Sequence, residues 1–152
     1  MKLISSVILA FFLSTLVLAD DVKLSGDSAL GELAFKKQCV ACHMIINSSG
    51  KKLAGRNGRA GPNLYGVVGQ LAGVVDGYRY GKSIVAAGTN NGLVWDEKNF
   101  VAYVQDPKSF LRLFLGDKKA RAKMTYKVRK EKDARNIYTC LLYTSDAADD
   151  SD

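Results

Sequence analysis

The sequence predicts a small all-α domain, and two observations lead to that fold class. Apolar residues recur at helical spacing in residues 28–40, in 96–105 and from 131 onward, and a shorter helical segment spans 108–115. Between the first and second of these, residues 47–77 are rich in glycine and are typical of a loop. The predicted architecture is therefore three main helices with short helices and long loops, and a loop of that length needs something to pack against.

The first predicted helix covers residues 28–40, and Asp27 or Ser28 can cap its start. Gly31 lies within it, where glycine costs about 1 kcal/mol relative to alanine. A close crossing with another helix at Gly31 would explain that choice, and an ordinary tolerated glycine is the alternative. Four residues at spacings of three and four positions form its predicted apolar face: Leu30, Leu33, Ala34 and Phe35.

The later helices are predicted from a cap, a proline and apolar faces. A helix over residues 96–105 begins with an aspartate that can cap it. Pro107 ends that helix and can begin the shorter one over residues 108–115. The last helix begins at about Glu131. The residues predicted to face the core from the first and last of these helices are Phe100, Val101, Val104, Ile137 and Tyr138.

Both ends of the chain differ from its middle. Residues 1–19 are predicted to be an export signal, with a positive charge at Lys2, an apolar run and small residues before the cleavage point. A retained anchor is the alternative, but an apolar run of about 16 residues is short for a bilayer span. Residues 20–139 then form one exported domain. Residues 140–152 resemble translated sequencing-adaptor DNA and are expected to be foreign to it, a genuine acidic tail being the alternative.

One short motif carries the chemistry of the chain. Residues 39–43 read Cys-Val-Ala-Cys-His, so the only histidine of the sequence directly follows the second of two thiols. Cys39 and Cys42 can both add to the vinyl groups of a haem while His43 ligates its iron. A redox dithiol is less favoured because a helix precedes the motif, and a zinc site because Cys140 is the one remaining thiol. The motif therefore predicts one covalently bound haem c.

A second segment indicates a family. Residues 61–66 read Gly-Pro-Asn-Leu-Tyr-Gly and begin 18 residues after His43. Together the two segments resemble the class I c-type cytochromes, the family of bacterial cytochrome c2 and mitochondrial cytochrome c. The resemblance implies that family's all-α fold around one haem, with the last helix packed on the first. It also implies that the Pro62 carbonyl accepts a hydrogen bond from the His43 ring and orients it. Stiffening a turn is the alternative role for Pro62.

The resemblance extends to aromatic side chains. It implies that Tyr78 and Tyr80 lie near the haem propionates and that Trp95 donates its indole N–H to one of them. It also implies that Tyr103 lies over the haem, near the sixth iron ligand. A buried carboxylate needs such donors, and phenol or indole groups supply them without a charge. For each of these residues, ordinary core packing is the alternative.

The sixth iron ligand is predicted to be Met124. Met1 belongs to the export signal, and Met44 adjoins His43, so Met44 cannot reach the opposite haem face. Met124 lies in a lysine-rich stretch that resembles the ligand loop of the family. Imidazole and thioether together raise the reduction potential and leave no open position for a substrate. The alternative is a haem enzyme, such as a peroxidase or a reductase component, in which Met124 does not bind.

The charge of the chain indicates the kind of partner. The sequence holds 22 Lys and Arg against 15 Asp and Glu, a net charge of +7. Such a balance suits an acidic partner surface, and no recognition motif for nucleic acid is visible.

The predicted function is that of a soluble, monomeric, periplasmic electron carrier, not an enzyme. It would pass electrons from a bc1-type donor to an oxidase, a reductase or a photosynthetic reaction centre, touching the membrane surface only transiently. The cations expected around the haem edge are Lys36, Lys37, Lys51, Lys52, Lys118, Lys119, Arg121, Lys123 and Lys127.

Overall fold

The structure is a computed structural model that describes residues 24–56, 58 and 60–146, with side chains as far as Thr144. The predicted export signal, residues 1–19, lies outside the described residues. Within the described residues, five α-helices and one hairpin form the fold, and the all-α prediction is confirmed for the bulk of it. In chain order the elements are α1 Ser28–Gln38, β1 Ile45–Ile46, β2 Lys52–Ala54, α2 Lys82–Val85, α3 Glu97–Gln105, α4 Pro107–Phe114 and α5 Glu131–Asp146.

Helices α1 and α5 cross so closely that their backbones nearly touch. A Cβ atom built on Gly31 would lie 2.8 Å from the Cβ of Cys140 and would also overlap the Asn136 carbonyl. Only glycine permits this approach, so the expected close crossing at Gly31 is confirmed. The predicted apolar face of α1 is partly wrong, because Leu30 and Leu33 are 45 % and 63 % exposed. The contact with α5 follows the narrow stripe of Gly31 and Phe35 and leaves those two leucines at its sides.

Helices α3 and α4 begin at aspartate caps. Asp96 accepts a hydrogen bond from the Asn99 N–H at 2.7 Å, and Asp106 accepts one from the Ser109 N–H at 3.1 Å. Pro107 stands in the first turn of α4, where its missing N–H costs nothing. The cap at Asp96 and the start of α4 beside Pro107 agree with the prediction, whereas the cap at Asp106 was not predicted. The buried side chains of α3 and α5 include those predicted to face the core: Phe100, Val101, Val104, Ile137 and Tyr138.

Three short elements lie outside the prediction. β1 pairs antiparallel with β2, with Ile45 opposite Ala54. Helix α2 has four residues and continues into a π-helical turn, Ala86–Asn90. Elements this short carry too few residues for a periodic pattern to be read. β2 lies inside the glycine-rich segment 47–77, which was predicted to be a loop, while β1 precedes that segment and α2 follows it.

The expected domain boundary after residue 139 falls inside α5. The helix continues to Asp146, and the side chains of Cys140 and Leu141 are buried against the rest of the core. Along residues 24–56, 58 and 60–146, no helix has both the length and the apolar character that a bilayer span requires.

Candidate haem-binding site

The end of α1 leads directly into the cysteine motif. Cys39 is the C-cap residue of α1, and its carbonyl accepts hydrogen bonds from the Cys42 N–H at 3.1 Å and the His43 N–H at 2.9 Å. Residues three apart on such a helical turn are neighbours. The two thiols therefore lie close together beside the histidine, the arrangement that attachment of one planar group through two sulfurs requires.

The His43 ring is fixed by the loop that follows. Its Nδ1 lies 3.0 Å from the carbonyl oxygen of Pro62. A carbonyl can only accept, so Nδ1 carries the hydrogen and Nε2 keeps a free lone pair. Burial lowers the pKa of His43, and the bond to Pro62 opposes that shift only in part. The ring is therefore neutral, with one nitrogen free, which is the form that ligates a metal.

Gly61 completes the support of that ring. A Cβ atom on Gly61 would lie 2.5 Å from Nδ1 of His43, so this backbone passes directly against the imidazole. The Gly61 N–H donates to the Cys42 carbonyl at 2.9 Å, which joins the loop to the motif. This requirement for glycine at position 61 was not predicted from the sequence, because Gly61 is one of several glycines in the same loop.

The thiol of Cys39 has the wrong chemistry for a redox dithiol. Burial raises the pKa of Cys39 to about 12, and the nearby Cys140 and Cys42 raise it further. A thioredoxin-like dithiol needs a lowered pKa, because the thiolate is the reacting form. The environment of Cys39 thus works against disulfide exchange.

The four predicted aromatic residues come together in two pairs. Trp95 and Tyr103 have ring centroids 4.9 Å apart, and Tyr78 and Tyr80 meet edge to face at 4.8 Å. Burial raises the pKa of Tyr103, and Tyr78 and Tyr80 contribute to the same shift, so both pairs border one region. Because Tyr103 stays protonated, this region holds aromatic surface without adding a negative charge.

The hydroxyl groups of Tyr78 and Tyr80 have different surroundings. Tyr78 donates its hydrogen to the Ala60 carbonyl at 2.7 Å, which leaves it no second hydrogen for a carboxylate. Burial raises the pKa of Tyr80, and the backbone of Val75 opposes that shift only in part. The phenol of Tyr80 therefore stays protonated and has a hydrogen to donate.

Met124 lies between α4 and α5 in a segment, residues 115–130, without regular secondary structure. The thioether side chain is half-buried and packs against the core. Contacts from several elements hold the segment on either side of Met124. The Arg121 N–H donates to Ser83 Oγ at 3.0 Å, Lys123 Nζ to the Arg79 carbonyl at 2.5 Å, Tyr126 to Gln38 Oε1 at 3.3 Å, Lys127 Nζ to Asp106 at 2.6 Å, and the Val128 N–H to the Val104 carbonyl at 2.8 Å.

The chemistry of these groups fits a haem. A neutral imidazole nitrogen and a thioether sulfur are ligands that haem iron accepts. Two surface clefts, of about 560 and 490 Å³, lie beside α5, and neither is lined by a predicted site residue. Several large apolar side chains pack on the core and remain partly exposed, so each has apolar surface left to contact a bound group. They include Val40, Leu64, Val68, Tyr80, Val85, Tyr103, Phe110, Phe114 and Met124.

The predicted cations differ in their surroundings. Lys36 pairs with Glu32 at 2.5 Å, and Lys127 pairs with Asp106. Lys123 lies over the Tyr78 ring, 4.6 Å from its centroid. In the part of the chain that the structure describes, the exposed side chains of Lys118, Lys119 and Arg121 form no ion pair.

Comparison with known proteins finds many relatives. No protein-family model matches the chain. The chain is 56 % identical over 120 residues to cytochrome c2 of Rhodovulum adriaticum, covering 79 % of this chain and 94 % of that protein. It is 50 % identical over 121 residues to cytochrome c-551 of Roseobacter denitrificans, covering 80 % and 84 %.

Solved structures agree with these relatives. The fold matches crystal structures of cytochrome c2 from Rhodobacter sphaeroides with a TM-score of 0.75 and 50 % identity, covering 78 % of this chain and 95 % of that one. It matches ferric cytochrome c-550 from Paracoccus versutus with a TM-score of 0.72 and 40 % identity, covering 79 % and 98 %.

Proposed function

The chain belongs to the class I c-type cytochromes, in the branch of bacterial cytochromes c2, and from this premise we propose that His43 and Met124 are the two ligands of its haem iron. Cytochromes c2 are soluble electron carriers, not enzymes, and this chain carries one haem c attached through Cys39 and Cys42. The alternative of an open distal site finds no support among the relatives.

The contact between His43 and Pro62 carries the ligand proposal. It holds the hydrogen on Nδ1 and leaves Nε2 as the free donor atom of a neutral ring. The Pro62 carbonyl also increases the basicity of the imidazole and restrains its rotation. We therefore assign to Pro62 the orienting role, which is compatible with stiffening the turn.

Haem, when bound, supplies a one-electron couple at its iron. The residues of the chain determine how that couple behaves. His43 and Met124 would both be bound to the iron, so no site would remain there for a substrate. The half-buried apolar lining excludes water, and a thioether ligand favours the reduced state, so both raise the potential.

We assign the propionate donors to Tyr80 and Trp95. Tyr80 retains a hydrogen to donate, and Trp95, 8 % exposed, brings an indole N–H into the same aromatic region. Tyr78 would border the propionates while its own hydrogen holds the loop at Ala60. Tyr103 would pack on the haem near Met124 and stay protonated. Each donor lowers the cost of burying a carboxylate.

Electron carriers of this family act with redox partners, and cytochromes c2 are soluble periplasmic proteins. We infer that the partners of this chain present acidic surfaces, because Lys118, Lys119 and Arg121 carry exposed charge in the segment of Met124 and form no ion pair with any described residue. A monomer that makes small, short-lived contacts with membrane complexes fits this surface. A bc1-type donor and an oxidase, reductase or reaction-centre acceptor remain the proposed partners. Export by cleavage near Ala19 would bring the chain to them.

The test uses the holoprotein matured in a bacterial export host. We expect Met124→Ala to abolish the weak charge-transfer absorption of the iron–sulfur bond in the oxidised protein. We also expect the potential to fall by about 0.1 V or more, since axial ligands span about 0.8 V. Redox-difference spectra and potentiometry measure both effects.

Met44→Ala is the matched control. It also replaces a methionine by alanine, but at the position next to His43, from which a thioether cannot reach the opposite haem face. The absorption spectrum and the reduction potential should therefore stay as in the wild type. A Met124→Ala protein with unchanged absorption and potential would refute the ligand assignment.

A further inference from the structure

The side chain of Gln38 joins three separate parts of the molecule. Gln38 is the last residue of α1 and directly precedes Cys39. Its Oε1 accepts a hydrogen bond from the Tyr126 hydroxyl at 3.3 Å. Its Nε2 donates one to Asp133 of α5 at 3.0 Å. The end of α1, the segment of Met124 and the start of α5 therefore meet at one amide group.

The chemistry of the partners determines how this amide is oriented. The carboxylate of Asp133 has no hydrogen to donate, so the nitrogen of the Gln38 amide must face it. The carbonyl oxygen then points to Tyr126, whose hydroxyl is able to donate. The hydrogen bond to Asp133 thus orients the Gln38 amide so that its oxygen faces Tyr126.

We propose that Gln38 is a positioning residue that ties the segment of Met124 to the turn bearing Cys39, Cys42 and His43, by accepting a hydrogen bond from Tyr126 while Asp133 holds its amide in place. The inference rests on the proposed function, because it concerns how the sixth ligand is kept on the iron.

The position of Tyr126 explains why this hydrogen bond should restrain Met124. Tyr126 is two residues from Met124, and its ring is 49 % exposed, so packing alone does not restrain it. The two contacts on the other side of Met124, at Arg121 and Lys123, reach the region of α2, from Arg79 to Ser83. The bond to Gln38 is the contact in this set that reaches the segment carrying the cysteine motif.

The experiment measures how readily the Met124 segment opens. Imidazole is added to the oxidised holoprotein, where it can bind the iron only when Met124 leaves. We expect Tyr126→Phe to tighten imidazole binding about fivefold, the effect of one lost hydrogen bond. The free energy of global unfolding in guanidinium should fall by no more than the equivalent of this factor, because the same single hydrogen bond is lost on unfolding. Tyr143→Phe removes a hydroxyl near the other end of α5 from a residue of similar exposure, 52 %, and should leave imidazole binding unchanged.

Two substitutions of Gln38 separate the roles of its amide atoms. Gln38→Leu removes the acceptor, so adding Tyr126→Phe to it should produce no further change in imidazole affinity. Gln38→Glu keeps an oxygen acceptor but loses the N–H that Asp133 accepts, so the effect of Tyr126→Phe should be smaller in that background than in the wild type. In a double-mutant cycle, the effects of Tyr126→Phe in the wild type and in Gln38→Leu should differ by about fivefold.

Each outcome decides the inference. Unchanged imidazole affinity in Tyr126→Phe, or an undiminished effect of that change in the Gln38→Leu background, overturns it while leaving Met124 ligation intact. A wild-type protein without the iron–sulfur absorption overturns the ligand proposal and this inference together. Tighter imidazole binding that disappears in the Gln38→Leu background supports the positioning role.

Discussion

His43 and Met124 lie on segments that the chain holds in different ways. The turn of His43 continues α1 and is built from backbone bonds to Cys39, with the backbone of Gly61 against the ring. The segment of Met124 has no regular structure, and side chains of other elements hold most of its contacts. The turn of His43 can be opened only by disturbing backbone contacts, whereas changes to single side chains should loosen the segment of Met124.

This difference predicts where the molecule opens first. A segment held by exposed side-chain hydrogen bonds opens at a lower free energy than one held by backbone bonds and close packing. We therefore expect the methionine side to be the mobile side of the site, and the histidine side to stay attached. The following substitutions test that comparison, beginning with the largest effect.

Gly61→Ala should damage the histidine side most. The added methyl group would lie 2.5 Å from Nδ1 of His43, and the loop can yield only by moving Pro62 as well. We expect the free energy of unfolding of the holoprotein to fall by about 3 kcal/mol, as in overpacked cores. Guanidinium unfolding followed by haem absorption measures the change.

Gly81→Ala is the control for that substitution. Nothing lies within 4 Å of a Cβ atom at Gly81, and the residue precedes α2 on the other side of the site. Its loss of stability should stay below about 1 kcal/mol. A Gly61→Ala protein as stable as Gly81→Ala would show that the ring is not tightly held.

Ser83→Ala should produce a moderate, local effect on the methionine side. It removes the oxygen that accepts from the Arg121 N–H at 3.0 Å. We expect hydrogen exchange of the Arg121 amide to become about threefold to fivefold faster, the effect of one partly exposed bond. Ser49→Ala, on the hairpin, removes a hydroxyl bonded to Asn47 and should not alter that amide. Equal rates in Ser83→Ala and the wild type would contradict the comparison.

The pair of Lys127 and Asp106 should show the smallest effect, visible only in acid. The hydrogen bond from Lys127, then that from the Ser109 N–H, lowers the pKa of Asp106 from 3.8 to about 2. A lowered carboxyl pKa adds stability that is fully present above about pH 4 and is lost as the pH falls towards 2.

Lys127→Met should raise the pKa of Asp106 and flatten the loss of stability in this pH range. Titration of the Asp106 carboxyl by NMR measures the first effect directly. Lys36→Met, which removes a lysine from an exposed pair on α1, should leave that titration unchanged. A pKa for Asp106 that stays near 2 without Lys127 would contradict the assignment.

The helices were predictable where a local pattern was long enough. The cap at Asp96, the start of α4 at Pro107 and the buried face of α3 follow from residues within one or two turns. The exposure of Leu30 and Leu33 could not be predicted from the sequence, because only the crossing with α5 decides which side of α1 is covered. The hairpin and α2 were missed because periodicity needs more residues than they contain.

By itself the sequence determined the haem attachment motif, the histidine beside it and the family, since these depend on spacing within a few positions. The tertiary structure decided which acceptor each phenol donates to. Tyr78 donates to the backbone carbonyl of Ala60, and Tyr126 donates to the side chain of Gln38. That last pair is separated by 88 residues in the chain. Contacts over such distances arise only when helices and loops pack, and no local pattern records them.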